Sequence, residues 1–574
     1  MEKKGEIIRI KKLLDKYLEW MKKGEVHFLK GKKNLSHKIK IRSLIIKLQE
    51  TLPEEGDKSQ LDWYEAHKIG RELWEELASA ALNNIDKDSK GNKKLFEYLE
   101  KATIFEDILY GLDEYYRDHT LHSLWVYFIG EDILRSSKLD ELQENLNWYL
   151  YNDIEAYKDI YSYPPDLVDF SIDKKEKLEK KVHKYKDAVW CIIALCHDLG
   201  YSLAKLSELN EKVKDVIDFF DIPDIRRVGY FLDVEHQHLV SQFLELMSMD
   251  VRIVPSENYE EVKDKAEDLG IKKIDVKSKS KNQRKYKKEL EERTLIKCYR
   301  DDAAYWSICR ALEKKKHGIL GAYLIYKMLG IFADTSVRGP AEEWGLEDDE
   351  VVANIIRGDI LHAIAQHDFD FAHLHNFNSL ADVLVLADEL EEFSRFGRQL
   401  LSRKYHNTMA NARVDFNVIS SKSEGKNEKG IKIDIEYTVD EEHDMGEFFL
   451  RKAKSLCQFY SLDPEEKERD RRICSPKYYE IQSINMKVKQ KSGKGYRDLV
   501  LEFNLSKDSN HKFKLQSKST GKPIEKTLEC QDDTLRTKDS KHIQLSEIFK
   551  DYGKRDEKER LVGWHRKKKK KRRK

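Results

Sequence analysis

The chain has 574 residues, 40% of them hydrophobic and 10% aromatic, enough apolar material for two or three packed domains. Its formal net charge is +1, but the last nine residues, Arg566 to Lys574, are all Lys or Arg; taking those nine charges from the +1 leaves −8 on the remainder. A mildly acidic body excludes capture of a polyanion by the overall field. No window approaches 18 apolar residues, so no membrane span is expected.

The first residues, MEKKGEIIRIKKLL, form a charged amphipathic pattern rather than a secretory signal. Helical periodicity then dominates to about residue 405, with segments near Ile7–Lys22, Lys38–Leu52 and Leu61–Leu82. Pro164–Pro165 breaks two helices, and the polar, Lys-rich stretch Arg252–Gln283 reads as an inserted loop. Seven cysteines, at 191, 196, 298, 309, 457, 474 and 530, contain no CxxC pair, which points to reduced thiols and a cytoplasmic protein.

Beyond Tyr405 the pattern changes. Ala412–Ile419 and Gly430–Val439 alternate as strands, a helix follows near Met445–Tyr460, and strands return at Tyr479–Gln490 and Asp498–Leu505. This β-β-α-β-β order suits an antiparallel sheet with a helix on one face. From about Lys507 the chain is polar and weakly patterned.

The chemistry-bearing residues lie in the helical part. From Ala188 to Cys196 every residue is apolar, so that helix is buried on all sides, and it then delivers His197 and Asp198 before Gly200, which can end it. An imidazole and a carboxylate at the end of a buried helix need compensation, and a metal ion supplies it. Upstream, His119 and His122 lie one turn apart at the start of another apolar helix. Downstream, His317 precedes Gly318, Gly321 and Ala322, which permit close backbone packing; Leu361–Asp368 carries His362 and His367, and the apolar run Leu384–Ala387 delivers Asp388. Taken singly, each could be a core histidine or a helix cap.

Their order, His, His-Asp, His-Gly-x-x-Gly-Ala, His, Asp, resembles the HD superfamily of metal-dependent phosphohydrolases over roughly residues 105–400. The resemblance implies an all-helical core with metal ligands on successive buried helices. His122 takes the first-ligand position, in a segment like the family's His-Ser-Leu-x-Val; His197 and Asp198 match its doublet and Asp388 its closing aspartate. His317 and His367 resemble the additional histidines of two-metal members, with Asp198 bridging the ions. The chain departs from HD-GYP proteins, since Leu-Gly-Tyr-Ser follows the doublet and no Gly-Tyr-Pro segment appears.

The domains expected are a helical extension (1–105), an HD-type phosphohydrolase domain (106–405), a smaller α+β domain (406–510), and a weakly structured segment with the basic tail (511–574). The fold class is therefore mainly α. The implied cofactors are divalent ions, two of them, drawn from Mn, Fe, Mg, Co or Ni. Such a pair activates water near neutral pH and neutralises phosphoryl charge. Asp198 would be catalytic as the bridge. By resemblance to cyclic-nucleotide phosphodiesterases, where a histidine four residues before the first ligand protonates the leaving oxygen, His119 becomes the general acid, although a packing role fits it as well. Arg117, Lys205, Arg395 and Arg398 stand near the motifs as phosphate clamps, with salt bridging as the alternative. His236 and His238 compete with His317, and His362 competes with His367. Tyr115, Tyr116, Trp125 and Tyr201 could stack a base or belong to the core. Segments between the ligands, above all 199–316, would form a substrate lid.

The reading expected is hydrolysis of a nucleotide or related phosphoester or phosphoanhydride. An HD-type nuclease on single-stranded DNA or RNA is the alternative enzyme, and a nucleotide-sensing regulatory module the alternative of another class. The basic tail suits nucleic acid, an anionic membrane or no specific partner, and would supply affinity without sequence specificity; the C-terminal sheet could mediate homo-oligomerisation, cover the active site or bind a ligand.

Overall fold

The structure is a computed structural model. It describes residues 8–52, 63–85, 91–109, 115–135, 148–206, 234–256, 292–332, 348–368, 376–392, 395–397, 410–423, 426–439, 479–490, 499–506, 513–517, 524–531, 534–537 and 542–543, with a few isolated positions between. The described part is mainly helical.

Helices α1 (Ile10–Lys23), α2 (Leu35–Thr51), α3 (Trp63–Ile85) and α4 (Asn92–Leu109) come first. Apolar spacing dictates their packing: Leu13, Leu14, Tyr17 and Met21 share one face of α1 and are buried, while Lys12, Lys22 and Lys23 face out. A short strand β1 (Tyr115–Arg117) leads into α5 (His119–Leu134), which is buried almost throughout. After β2 (Tyr151–Asn152), α6 (Pro165–His183) begins with Pro165 in its first turn, the position where proline costs no hydrogen bond. Helix α7 (Lys186–Cys196) is buried at all its positions, as its unbroken apolar run requires.

The N-terminal helices share the core of the ligand-bearing ones. The Trp74 indole on α3 donates to the carbonyl of Leu195 (2.9 Å), one of the carbonyls that the end of α7 leaves open. Tyr17 and Tyr127 share a buried hydroxyl hydrogen bond of 2.8 Å, and the backbone N–H of His27 donates to Asp187 (2.8 Å). One continuous apolar cluster runs from Ile8 through these helices to Val488 in the C-terminal sheet.

Further helices are α8 (Tyr201–Ala204), α9 (Val234–Met247), α10 (Asp302–Glu313), α11 (His317–Met328), α12 (Asp348–Gln366) and α13 (Leu380–Leu390). Helices α5, α7, α11, α12 and α13 form the centre: α5 packs on α7 and α13, and α12 on α7, α11 and α13. The helical reading of this half needs correction at several short strands. β3 (Met249–Pro255) and β4 (Thr294–Arg300) pair antiparallel, and β2 adds parallel to β3. The segment read as a loop from Arg252 therefore begins inside a strand; positions 257–287 lie outside the described residues. Seven residues with alternating burial are too short to stand out among long helical patterns.

The C-terminal sheet also differs from expectation. β7 (Ala410–Ser423) and β8 (Lys426–Val439) form an antiparallel hairpin, but β8 pairs parallel with β9 (Tyr479–Gln490). The sheet is mixed, not antiparallel, because a long connection between β8 and β9 returns the chain to the same end of the sheet. Phe448, Phe449, Lys452 and Leu456 are helical within that connection, inside the predicted helix. β10 (Leu499–Ser506) pairs with β9, and β11 (Phe513–Ser517), β12 (Ile524–Gln531), β13 (Thr534–Thr537) and β14 (His542–Ile543) continue the order antiparallel. Where 511–574 reads as weakly structured, the chain thus adds four strands before the tail; their polar alternation carries little hydrophobic signal. β5 (Asn376–Phe377), from the helical half, pairs with the start of β9, and the N–H of Ile8 donates to Ala412 (2.8 Å).

Asp118 caps α5, its carboxylate accepting from the N–H of Leu121 (2.9 Å) and from Nδ1 of His67 (2.7 Å). Burial alone would raise its pKa, yet the charge and hydrogen bond of His67 hold it below the usual carboxylate value. Because the folded value is the lower one, this contribution is fully present above about pH 4 and is lost as pH falls through the folded value. Asp118→Ala is expected to cost about 2–4 kcal/mol, summing the lost cap and the stranded imidazole. A urea melt at neutral pH measures it, and the gap between variant and parent should close in acid.

Candidate metal centre

Five buried helices deliver the predicted residues to one place. His122 is one turn into α5; His197 and Asp198 follow the last residue of α7; His317 opens α11; His367 follows α12; Asp388 lies in the last turn of α13. Four of the six sit at or just beyond helix termini, where the backbone turns and side chains can converge.

They converge as two groups sharing one carboxylate. In the first, Nε2 of His122 lies 3.2 Å from Nε2 of His197, 3.0 Å from Oδ1 of Asp388 and 3.4 Å from Oδ2 of Asp198. In the second, Nε2 of His317 lies 2.9 Å from Nε2 of His367 and 3.3 Å from Oδ1 of Asp198, which is 3.5 Å from His367. Asp198 thus turns one oxygen to each group. His122–His197–Asp198 and Asp198–His317–His367 are both compact enough to hold an ion. Around an ion bound at about 2.1 Å, neighbouring ligand atoms stand roughly 3.0–3.4 Å apart, and the separations above fall close to that range.

The outer nitrogens explain why the inner ones face each other. Nδ1 of His197 and Nδ1 of His367 each meet a backbone carbonyl, of Ala194 (2.8 Å) and Ile364 (2.6 Å). A carbonyl only accepts, so both histidines carry their proton on Nδ1 and turn a bare Nε2 inward. Nδ1 of His122 faces Glu391 (2.7 Å), and Nδ1 of His317 faces Asp368 (2.7 Å). These are the carboxylate–histidine and carbonyl–histidine pairs that orient metal-binding imidazoles. Burial depresses the His197 pKa to about 4, keeping it a neutral ligand. Burial would raise the Asp198 pKa, but the histidines gathered around its carboxylate hold it well below the carboxylate range. Burial also disfavours charge on His317, yet Asp368 and Asp198 outweigh it and raise its pKa to about 10. An ion at the second group therefore competes with a proton. Acceptors crowded this closely require a cation or a proton among them, and the donor set suits a divalent ion.

Neither a protein-family model nor a curated protein matches this chain. Among solved structures, the crystal structure of the central domain of yeast acetyl-CoA carboxylase aligns over 86% of this chain and 96% of its own at 8% identity, with a TM-score of 0.09. That likeness is too slight to carry an argument. The site must be read from its own residues.

The other candidates divide. His119 is buried, and its ring lies against Tyr201 (centroids 3.9 Å apart), which is itself 6.0 Å from His317. Lys205 sits over the same tyrosine, its Nζ 5.3 Å from the Tyr201 ring centroid. Trp125 belongs to the core. β1 pairs with β6 (Arg395–Gly397) so that Arg117 and Arg395 are direct cross-strand partners, and Tyr115 and Tyr116 oppose Gly397 and Phe396. Arg398 lies outside the described residues, as do most of 207–233 in the expected lid. His362 belongs to neither group and stacks on Tyr149 (4.2 Å). His238 is exposed on α9, where His236 also lies. Sequence reasoning passed over Glu391 and Asp368. Each directly follows or closely trails a ligand, Asp368 beside His367 and Glu391 three after Asp388, and such a carboxylate is the one signal that marks an orienting partner.

Gly200 has φ −79°, so it is not the left-handed helix cap its position suggests. A Cβ there would meet the carbonyl oxygen of His317 at 2.1 Å. The glycine is needed for close approach of α11.

Proposed function

We propose that this chain is a metal-dependent phosphohydrolase similar to members of the HD superfamily, acting on a nucleotide or related phosphoester or phosphoanhydride. The observation that carries the reading is the pair of His/Asp groups sharing Asp198, one oxygen turned to each. His122, His197, Asp198 and Asp388 would hold one divalent ion, and His317, His367 and Asp198 a second. Bound there, the ions supply Lewis-acid activation of water and neutralisation of phosphoryl charge.

The chain's own residues do the rest. Glu391, Asp368 and the Ala194 and Ile364 carbonyls hold the imidazole protons on Nδ1, leaving Nε2 for coordination. His119, one turn before His122 and packed on Tyr201, would protonate the leaving oxygen. Arg117 and Arg395, in register across β1 and β6, would clamp an anionic substrate, since guanidinium suits phosphate oxygens.

Metal analysis of the purified protein, followed by a phosphate-release screen, tests the reading. The panel comprises dNTPs, cyclic mononucleotides, cyclic dinucleotides, ppGpp and single-stranded oligonucleotides, each with Mn, Mg, Co, Ni or Fe. Turnover of at least one small nucleotide is expected. Cleavage of oligonucleotides alone would select the nuclease, and no turnover with any metal would sink the enzyme reading.

A further inference from the structure

The helix predicted between β8 and β9 contains a lysine where its apolar face should be. Phe448, Phe449 and Leu456 are buried, and Lys452, in register with them, is 2% exposed. An ammonium placed in such a face is costly unless opposite charge and hydrogen bonds await it. Its Nζ donates to the carbonyl of Glu389, and reaches Oε1 of Glu392 at 2.7 Å and Oε2 of Glu389 at 3.2 Å. Nearby, the Tyr437 hydroxyl on β8 donates to the same Glu389 carbonyl (2.8 Å).

Those partners form the end of α13. Four acidic residues, Asp388, Glu389, Glu391 and Glu392, stand within five positions, and Glu391 and Glu392 are fully buried. The N–H of Glu391 closes the helix onto the carbonyls of Ala387 (3.1 Å) and Asp388 (3.2 Å). Its carboxylate is the acceptor for Nδ1 of His122. So many carboxylates in one turn repel one another, and a buried cation bonded to two of them offsets that repulsion and pins the turn. Lys452 comes from the C-terminal part of the chain, whereas the oxygens it binds belong to the last turn of the helix that carries Asp388 and the two residues after it.

We infer that Lys452 is a positioning residue for the metal centre: docked from the C-terminal sheet region, it holds the α13 turn so that Glu391 orients His122 and Asp388 faces it. The His122–His197–Asp388 group is then complete only when the C-terminal part is seated, while His317 and His367 are indifferent to it. This rests on the two-ion reading above.

The full chain carrying Lys452→Met with Glu392→Gln tests the inference; neutralising the fully buried Glu392 together with Lys452 avoids stranding that charge. Two readouts apply, Mn binding by calorimetry and hydrogen exchange of the metal-free protein over residues 387–392. The expected result is a 10–100-fold weaker first Mn site, about the scale for lost orienting partners, with the second site unchanged and faster exchange in that segment. Retention of the second site also certifies the fold. Parental Mn affinity at both sites would overturn the inference, as would uniform loss at both. If the parent bound no Mn, the two-ion reading would fall, and exchange alone would decide on Lys452: parental protection of 387–392 in the variant would reject its role.

Discussion

Asp198→Ala is expected to lower phosphate release by about 10³-fold or more, equivalent to roughly 4 kcal/mol of barrier, and to leave no more than one ion per chain. The magnitude follows from its position. Its Oδ2 faces His122 and its Oδ1 faces His317 and His367, so a single truncation takes an anionic ligand from both groups. The first group then keeps Asp388 beside two imidazoles 3.2 Å apart, and the second only two imidazoles 2.9 Å apart, which offers less compensation to a divalent charge. Elemental analysis and single-turnover phosphate release measure the two effects. An Asp198→Ala protein with full metal content and activity would show that the site lies elsewhere.

Gly200→Ala is the second large effect. The added methyl would lie 2.1 Å from the His317 carbonyl oxygen, 2.5 Å from the Gly321 nitrogen and 2.9 Å from Cβ of Leu320. Backbone meets it on two sides, so no rotamer change relieves the overlap, and the turn after α7 must separate from α11 by roughly 1 Å. Asp198 is on one side of that contact and His317 on the other. Overpacking of this kind costs about 1–3 kcal/mol of stability, and a 1 Å misplacement of ligands can cost about 10²-fold in rate. The expected protein melts earlier, binds its second ion weakly and keeps the first, because His122 and Asp388 lie on other helices. Urea denaturation paired with metal titration separates these, and parental behaviour in both would mean that α11 does not approach this closely.

Much of the helical half was legible from residues alone. The run Ala188–Cys196 announced a helix buried on all sides, and α7 is that helix. The strand alternation of Gly430–Val439 and Tyr479–Gln490 corresponds to β8 and β9, with Ile431, Ile433, Ile435, Tyr437 and Val439 on the buried face. What failed were relations between segments. The parallel pairing of β8 with β9 depends on how a long connection crosses, which no local pattern encodes. β3, whose last four residues fall in a stretch read as a loop, leaves too weak a signal because it is only seven residues long.

The sequence by itself determined which segments are buried and where His and Asp emerge from them, because burial is written locally in the period and length of apolar runs. Only the tertiary structure decided which nitrogen of each imidazole turns inward, that His362 leaves for Tyr149 while His367 joins His317, and that Glu391, Asp368 and Lys452 stand behind the ligands. His122 and Glu391 are 269 positions apart. Such pairings are set by how whole helices pack, and a side chain's partner across that distance leaves no periodic trace in the residues around it.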